Sequence, residues 1–307
     1  MKIKQIISFL EENNIAFKDY NINSQLDFKP ASLKAIINQG LYYVVGDFDL
    51  STITNSLIIT DQFRETSNVV IVVENPQLTF YKLLQLEVEP ILPQIHHTAI
   101  IHPNAKIGKN VSIGAYVVIE DCVIEDNVVL KPNVVVYKNT TIKSGCFIDS
   151  NSCIGPSGLA WIWDDNGNRI IQPQLGGVII EKNCHIGTDV SITKGSLSEN
   201  TIIGENTLIA HGTKIGHGCK VSKHVHMANN VSLAGNAVIG ERVFLGSASI
   251  VSSNISVPNN SIVGAGTLVN KKFEGEYVTL VGVPAKILKA NNYNHKPNGA
   301  PKPFKTK

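Results

Sequence analysis

Four histidines crowd one stretch of the chain, His211, His217, His224 and His226, out of nine in all. A neutral imidazole near pH 7 takes a proton from an amine, donates to a developing oxyanion, or ligates a metal. His224 and His226 alternate as H-V-H, so on a strand they share a face. Both tryptophans, Trp161 and Trp163, fall in GPSGLAWIWDDNGNRIIQPQLGG, residues 155–177, which holds a turn signal at Asp164–Gly167. Exposed aromatics on a long excursion read as a binding loop. The five cysteines, Cys122, Cys146, Cys153, Cys184 and Cys219, include no C-x-x-C pair, so neither a zinc clip nor a redox dithiol is indicated.

Bulk properties remove several function classes. At 307 residues and 43% hydrophobic content, a large domain and a small one both have material for a core. The formal net charge of +2 does not point to nucleic acid. No apolar run reaches membrane-span length. The opening MKIKQIISFLEENN lacks a signal-peptide apolar stretch, so a cytoplasmic location is expected.

The elements that position these residues follow a six-residue register. Stepping in sixes from Ile203 gives Ile209, Ile215, Val221, Met227, Leu233 and onward to Val269, all aliphatic or Met. Neither the strand period of two nor the helix period of 3.6 demands this. Two residues before each site stands a small or β-branched residue, such as Thr207, Thr213 or Cys219. One residue after comes Gly204, Ala210, Gly216 or a similar residue suited to a tight corner. Each hexad therefore reads as a short strand plus a corner. Three hexads close one coil of a triangular column, and coils stack ~4.8 Å apart. The register begins at Ile95, slips by one between Ile119 and Ile124, breaks at 155–177, and slips again near Leu197. Four cysteines, Cys122, Cys146, Cys184 and Cys219, fall in the small inward slot and read as packing residues. His217, two residues past Ile215, is expected to point outward.

The ends differ. Residues 1–92 read as a small α/β domain: a helical stripe at Ile3, Ile6, Ile7 and Leu10, strand-like runs Leu41–Val45, Ser56–Thr60 and Val69–Val73, then a helix over Leu78–Leu86. Residues 93–272 form the column, 273–290 a closing segment ending in GVPAKIL, and 291–307 a polar tail expected to be disordered.

The hexads with their flanks resemble the hexapeptide-repeat acyltransferases. VVIVVENPQLTFYKLLQL, IHPNAKIGKNVSIGAYVVIED and the 155–177 excursion resemble the UDP-3-O-acylglucosamine N-acyltransferase branch of lipid A synthesis. GHGCKVSKHVHMANNVSLAGNAVIGERVFLGSASIV, GAGTLVN and GVPAKIL resemble the acetyl-CoA-dependent sugar acetyltransferases of the sialic acid and bacillosamine type. The resemblance implies a mainly β fold, a left-handed parallel β-helix, although parallel crossovers are usually right-handed.

It also implies roles. Both branches place their catalytic histidine at His217, as general base, and the second places an oxyanion donor at His226. These stand 226 − 217 = 9 residues apart, half a coil, so they meet only across a boundary between columns. That implies a homotrimer. The coenzyme would lie along Gly235, Ala248, Gly264 and Ala265, with Lys286 facing a phosphate. Tyr43, Trp161, Trp163 and Asn254 are the substrate-side candidates, the last where the lipid A branch has a second histidine. The acetyltransferase branch has an acidic residue after its catalytic histidine, and here that residue is Gly218. The asparagine expected near Tyr43 appears as Gly46.

The expected activity is therefore N-acyl transfer from an acyl-coenzyme A, acetyl-CoA above all, to the amine of a nucleotide-linked amino sugar. No permanent cofactor or metal is expected, and a place in lipopolysaccharide or O-antigen assembly is implied. Three alternatives remain: an acyl carrier protein-dependent UDP-3-O-acylglucosamine N-acyltransferase, a metal enzyme like the γ-class carbonic anhydrases, and a non-catalytic trimeric scaffold. The His211–His217 and His217–His224 spacings of six and seven do not match the five-residue pair of the γ-class enzymes.

Overall fold

A computed structural model describes residues 1–22 and 26–288. The tail at 291–307, for which disorder is expected, lies outside the described residues. The chain divides into two compact units, Met1–Pro90 and Ile91–Lys307.

In the first unit, α1 (Ile3–Glu12) buries Ile3, Ile6 and Leu10, the stripe that its spacing dictates. Strands β1 (Phe17–Tyr20), β2 (Lys29–Pro30), β3 (Gly40–Val44), β4 (Leu57–Thr60) and β5 (Val69–Val73) form one sheet in the order β1-β5-β4-β3-β2. Only the β1–β5 pair is antiparallel. The central strands are nearly all buried. β1 and β2 lie at the edges and are polar, so no apolar run announces them. Helix α2 runs Pro76–Leu84, starting two residues before its expected position. Asn75 caps it by accepting from Leu78 N at 3.1 Å, and Pro76 supplies a first-turn φ.

The second unit is a three-sided parallel β-helix with a left-handed wind. Its nine-stranded first face runs from Ile100–Ile101 to Leu268–Val269. The eight-stranded second face runs from Lys106–Ile107 to Ser256–Val257. The ten-stranded third face starts at Ser112–Ile113 and ends in an antiparallel pair, Thr279–Val281 with Lys286–Ile287. Strands one coil apart pair in register, as Ile215 with Leu233 and Leu233 with Val251. The inward aliphatics make one continuous core, and the four inward cysteines sit in it. Ile95 obeys the hexad rule yet is 57% exposed, because the first coil has none beneath it.

The edges of the column impose two separate demands. Where glycine follows an inward site, an added Cβ would press on the next coil: at Gly216 it would lie 2.8 Å from Gly235 N, and at Gly246 2.5 Å from Ala265 N. From Ile203 to Val263 the backbone turns left-handed three residues after each inward site. Asn230, Asn236, Asn254 and Asn260 fill that place, as does Gly218. Asn and Gly tolerate it best. The six-residue rule, drawn from the inward, small and corner residues, does not include this asparagine column.

The slip near Leu197 is not a slipped hexad. Ile192 lies on the first face and Ile203 on the next strand of the second, so 203 − 192 = 11 residues span a passage that takes 221 − 215 = 6 one coil later. Leu197 is 51% exposed instead of inward. Residues 193–199 form an extended corner with five additional residues. The 155–177 excursion leaves the same edge, between Cys153–Ile154 on the first face and Gly177–Ile180 on the second. It is an antiparallel hairpin, Trp161–Trp163 against Arg169–Ile171, and not an irregular loop. Asp164 closes its turn by accepting from the backbone of Asn166 and Asn168, with Gly167 at φ +76°.

Candidate functional site

One edge of the column, between the first and second faces, collects most of the chemistry. Two coils before His217 it carries the aromatic hairpin, and one coil before, the extended corner; these steps are about 10 and 5 Å along the axis. The base of the hairpin is stitched to the corner: Leu175 N donates to Ser196 O at 2.9 Å, Gly176 N to Gly195 O at 3.2 Å, and Lys194 N to Pro156 O at 3.1 Å.

His217 follows Lys214–Ile215 of the first face. Its side chain lies outside the core of the column and is half-buried. The reason is local. Nδ1 shares a 3.0 Å hydrogen bond with Ser196 Oγ of the extended corner. The opposite side of the ring lies on Gly235, one coil on, where a Cβ would collide with Nε2. Gly235 is thus the floor under His217. Asn254 stands on the same edge one coil further, exposed, and its N donates to Gly235 O at 3.1 Å.

Glu199, also on the extended corner, accepts from Ser196 N at 2.6 Å and from Leu197 N at 3.1 Å. Backbone donors, chiefly its own and that of Ser196, hold its carboxyl below the ordinary glutamate value, and His217 adds to this. A Cβ placed on Gly218 would lie 3.7 Å from Glu199 Cγ and would meet the Asn236 side chain. An acidic residue at 218 would therefore crowd the edge. Ser196 and Glu199 were not among the residues singled out from sequence. The only signal they left was the broken register itself.

The hairpin packs its tryptophans against each other, centroids 4.9 Å apart and edge to face. The Arg169 guanidinium sits 4.8 Å over Trp161 and 5.4 Å over Trp163. The rings remain 44% and 56% exposed.

His226 lies elsewhere, on the third face, which is opposite the His217 edge in a triangular section. Its ring meets Phe244 edge-on at 5.2 Å, and burial pushes its pKa down. Ala248, Gly264 and Ala265 follow third-face strands at the edge leading back to the first face. Lys286 is exposed in the closing antiparallel pair, opposite Val281. A Cβ on Gly264 would lie 3.0 Å from Val281 Cγ1. The residues proposed for coenzyme contact thus divide in one chain: Gly235 belongs with His217, and the other four with His226.

In the first unit, Tyr43 is partly buried on β3, its ring 5.2 Å from Phe80 and 6.3 Å from Tyr81. Gly46 turns left-handed at φ +73° shortly after it. Among the described residues no group of three or more His, Cys, Asp or Glu is placed to hold a metal. His211 Nδ1 is instead engaged by Thr188, whose N donates at 2.9 Å. No described helix is long and apolar enough to cross a membrane.

Comparison with known proteins places these features. Residues 121–156 match the family model "Bacterial transferase hexapeptide (six repeats)", and residues 236–271 match "Hexapeptide repeat of succinyl-transferase". A 61-residue stretch is 38% identical to the UDP-3-O-acylglucosamine N-acyltransferase of Idiomarina loihiensis, covering 20% of this chain and 18% of that relative. The structure of LpxA from Acinetobacter baumannii is similar at 30% identity and a TM-score of 0.57, covering 63% of this chain and 73% of that one. The UDP-N-acetylglucosamine O-acyltransferase of Moraxella catarrhalis is similar at 29% identity and a TM-score of 0.58, over 64% of this chain and 74% of its own. Hexad register, column and likeness agree, and the chain belongs to the hexapeptide-repeat acyltransferases.

Proposed function

We propose that the chain is a sugar N-acyltransferase that moves a short acyl group, acetyl above all, from coenzyme A to the amine of a nucleotide-linked amino sugar. One observation carries this reading. A single edge gathers an imidazole tied at Nδ1, a glycine floor against its Nε2, Asn254 and an aromatic hairpin. The relatives named for UDP-sugar acylation support a nucleotide sugar as acceptor. The GVPAKIL ending supports a coenzyme A donor.

The chemistry needs a free amine. Neutral His217 removes a proton from the sugar nitrogen as that nitrogen bonds to the thioester carbonyl carbon. The carbonyl π pair moves to oxygen, and the partner subunit's His226 donates to this oxyanion. Lowered basicity from burial suits His226 to that role, since it stays a neutral donor. Collapse of the intermediate breaks the C–S bond. The thiolate leaves and takes the proton from His217, giving the amide and free coenzyme A thiol. This requires a homotrimer with sites at its subunit boundaries, because one chain keeps the two histidines apart. Trp161, Trp163 and Tyr43 are the stacking candidates for the nucleotide sugar, and Lys286 for a coenzyme phosphate.

The likeness to the Idiomarina relative favours a second reading, with an acyl carrier protein as donor and a UDP-3-O-acylglucosamine as acceptor. One experiment separates them. Acetyl-CoA, longer acyl-CoAs and acyl carrier protein thioesters are tested against UDP-, dTDP- and GDP-linked amino sugars, and thiol release is followed. Turnover with a short acyl-CoA is the expected result. Turnover only from the carrier protein selects the second reading. No release with any pair overturns the N-acyltransferase assignment.

A further inference from the structure

The residue after His217 is a left-handed glycine, so nothing adjacent in sequence orients the ring. A general base nevertheless needs a fixed tautomer, and the partner of one ring nitrogen sets the state of the other. The extended corner at 193–199 brings two polar side chains to His217 from one coil below. It also grips the backbone beside the ring: Gly218 N donates to Thr201 Oγ1 at 2.9 Å, and Thr201 Oγ1 donates to Thr193 O at 2.6 Å.

We propose that Ser196 and Glu199 are positioning residues for His217. Ser196 Oγ accepts from Nδ1–H and so leaves the Nε2 lone pair on the Gly235 side for the substrate amine. Glu199 acts through Ser196. Its two oxygens take Ser196 N and Leu197 N, which fixes the corner so that Oγ stays under Nδ1. A five-residue register break thereby supplies from the coil below what an acidic neighbour would supply in sequence. Neither residue touches substrate in this account, and the assignment rests on His217 being the base.

The test uses the full-length enzyme with ring-15N histidine. The tautomer of His217 is read by NMR at about pH 8, above the ordinary histidine range. It is assigned by loss of its signals in His217→Ala. Kinetics are measured for Ser196→Ala, Ser196→Thr, Glu199→Gln and His217→Ala. Wild type is expected to hold Nδ1–H. Ser196→Ala should shift the ring toward Nε2–H and lower kcat by roughly ten- to a hundredfold with little change in KM, the scale of other outer-shell losses. Ser196→Thr should restore both readouts, and Glu199→Gln should lower kcat less than Ser196→Ala. An Nε2–H ring in wild type, or unchanged kcat and tautomer in Ser196→Ala, overturns the proposal. If His217→Ala turns over normally, the functional reading falls and takes this one with it. If His217→Ala is inactive while Ser196→Ala is normal, only the positioning role fails.

Discussion

At the scale of single residues, burial decides which groups react. Cys122 and Cys219 face the core, and burial pushes their thiols up to about 12 and about 11. Only Cys153 points outward and is half-exposed. A thiol reagent at about pH 8, near the ordinary thiol pKa, should therefore modify Cys153 in the native protein and all five after unfolding. Rapid native labelling of Cys122 or Cys219 would contradict the inward assignment. His226 gives a pH signature. Its folded pKa is depressed, so the unfolded chain binds more protons as pH falls through the ordinary value of about 6.5. Its contribution is fully present above that value and is lost on acidification. His226→Gln should therefore flatten the dependence of Tm on pH between about 7 and 5. An unchanged slope would contradict the burial argument. Gly235→Ala tests the floor under His217: the added methyl meets the ring, so turnover should drop while the column stays folded. Normal turnover in this variant would show that the ring does not need its seat on Gly235.

At the scale of elements, much was legible and the rest was hidden for identifiable reasons. The strands of the column follow from one rule, because an aliphatic every six residues leaves no other way to bury itself than stacking. The stripe of α1 and the runs of β3, β4 and β5 were equally plain. The edge strands β1 and β2 were not, since nothing apolar marks a strand with one solvated side. The extended corner was read as a slip because Leu197 falls near the hexad phase, yet backbone bonds to the hairpin base hold it outside. His217 was singled out by resemblance to a family. Its neighbours Ser196 and Glu199 were not, because only the register break brings them to it. The hairpin carries its own prediction. Trp161→Ala with Trp163→Ala should raise KM for the nucleotide sugar by about tenfold, within the 1–3 kcal/mol typical of base stacking on an aromatic, and leave Tm nearly unchanged, since both rings project from the column. Loss of folding instead would make the hairpin structural.

At the scale of the whole molecule, the triangular section keeps His217 and His226 apart, so the proposed chemistry needs a second column. In the proposed cyclic trimer, the His217 edge of one subunit would face the third face of the next. Mixed trimers test this directly. His217→Ala and His226→Ala chains, each weakly active alone, should regain turnover when co-expressed, because some boundaries then pair two intact histidines. No recovery, with mixed trimers demonstrated by mass, would contradict shared sites.

The central claim is that one imidazole on one edge of the column performs the proton transfer of acyl transfer. The most direct measurement is the rate of thiol release by purified His217→Ala, with Tm and oligomer mass checked against wild type. The account predicts a fall of about 10²–10⁴-fold, the usual worth of a general base, in a protein of unaltered stability and assembly. Thiol release at the wild-type rate would contradict it.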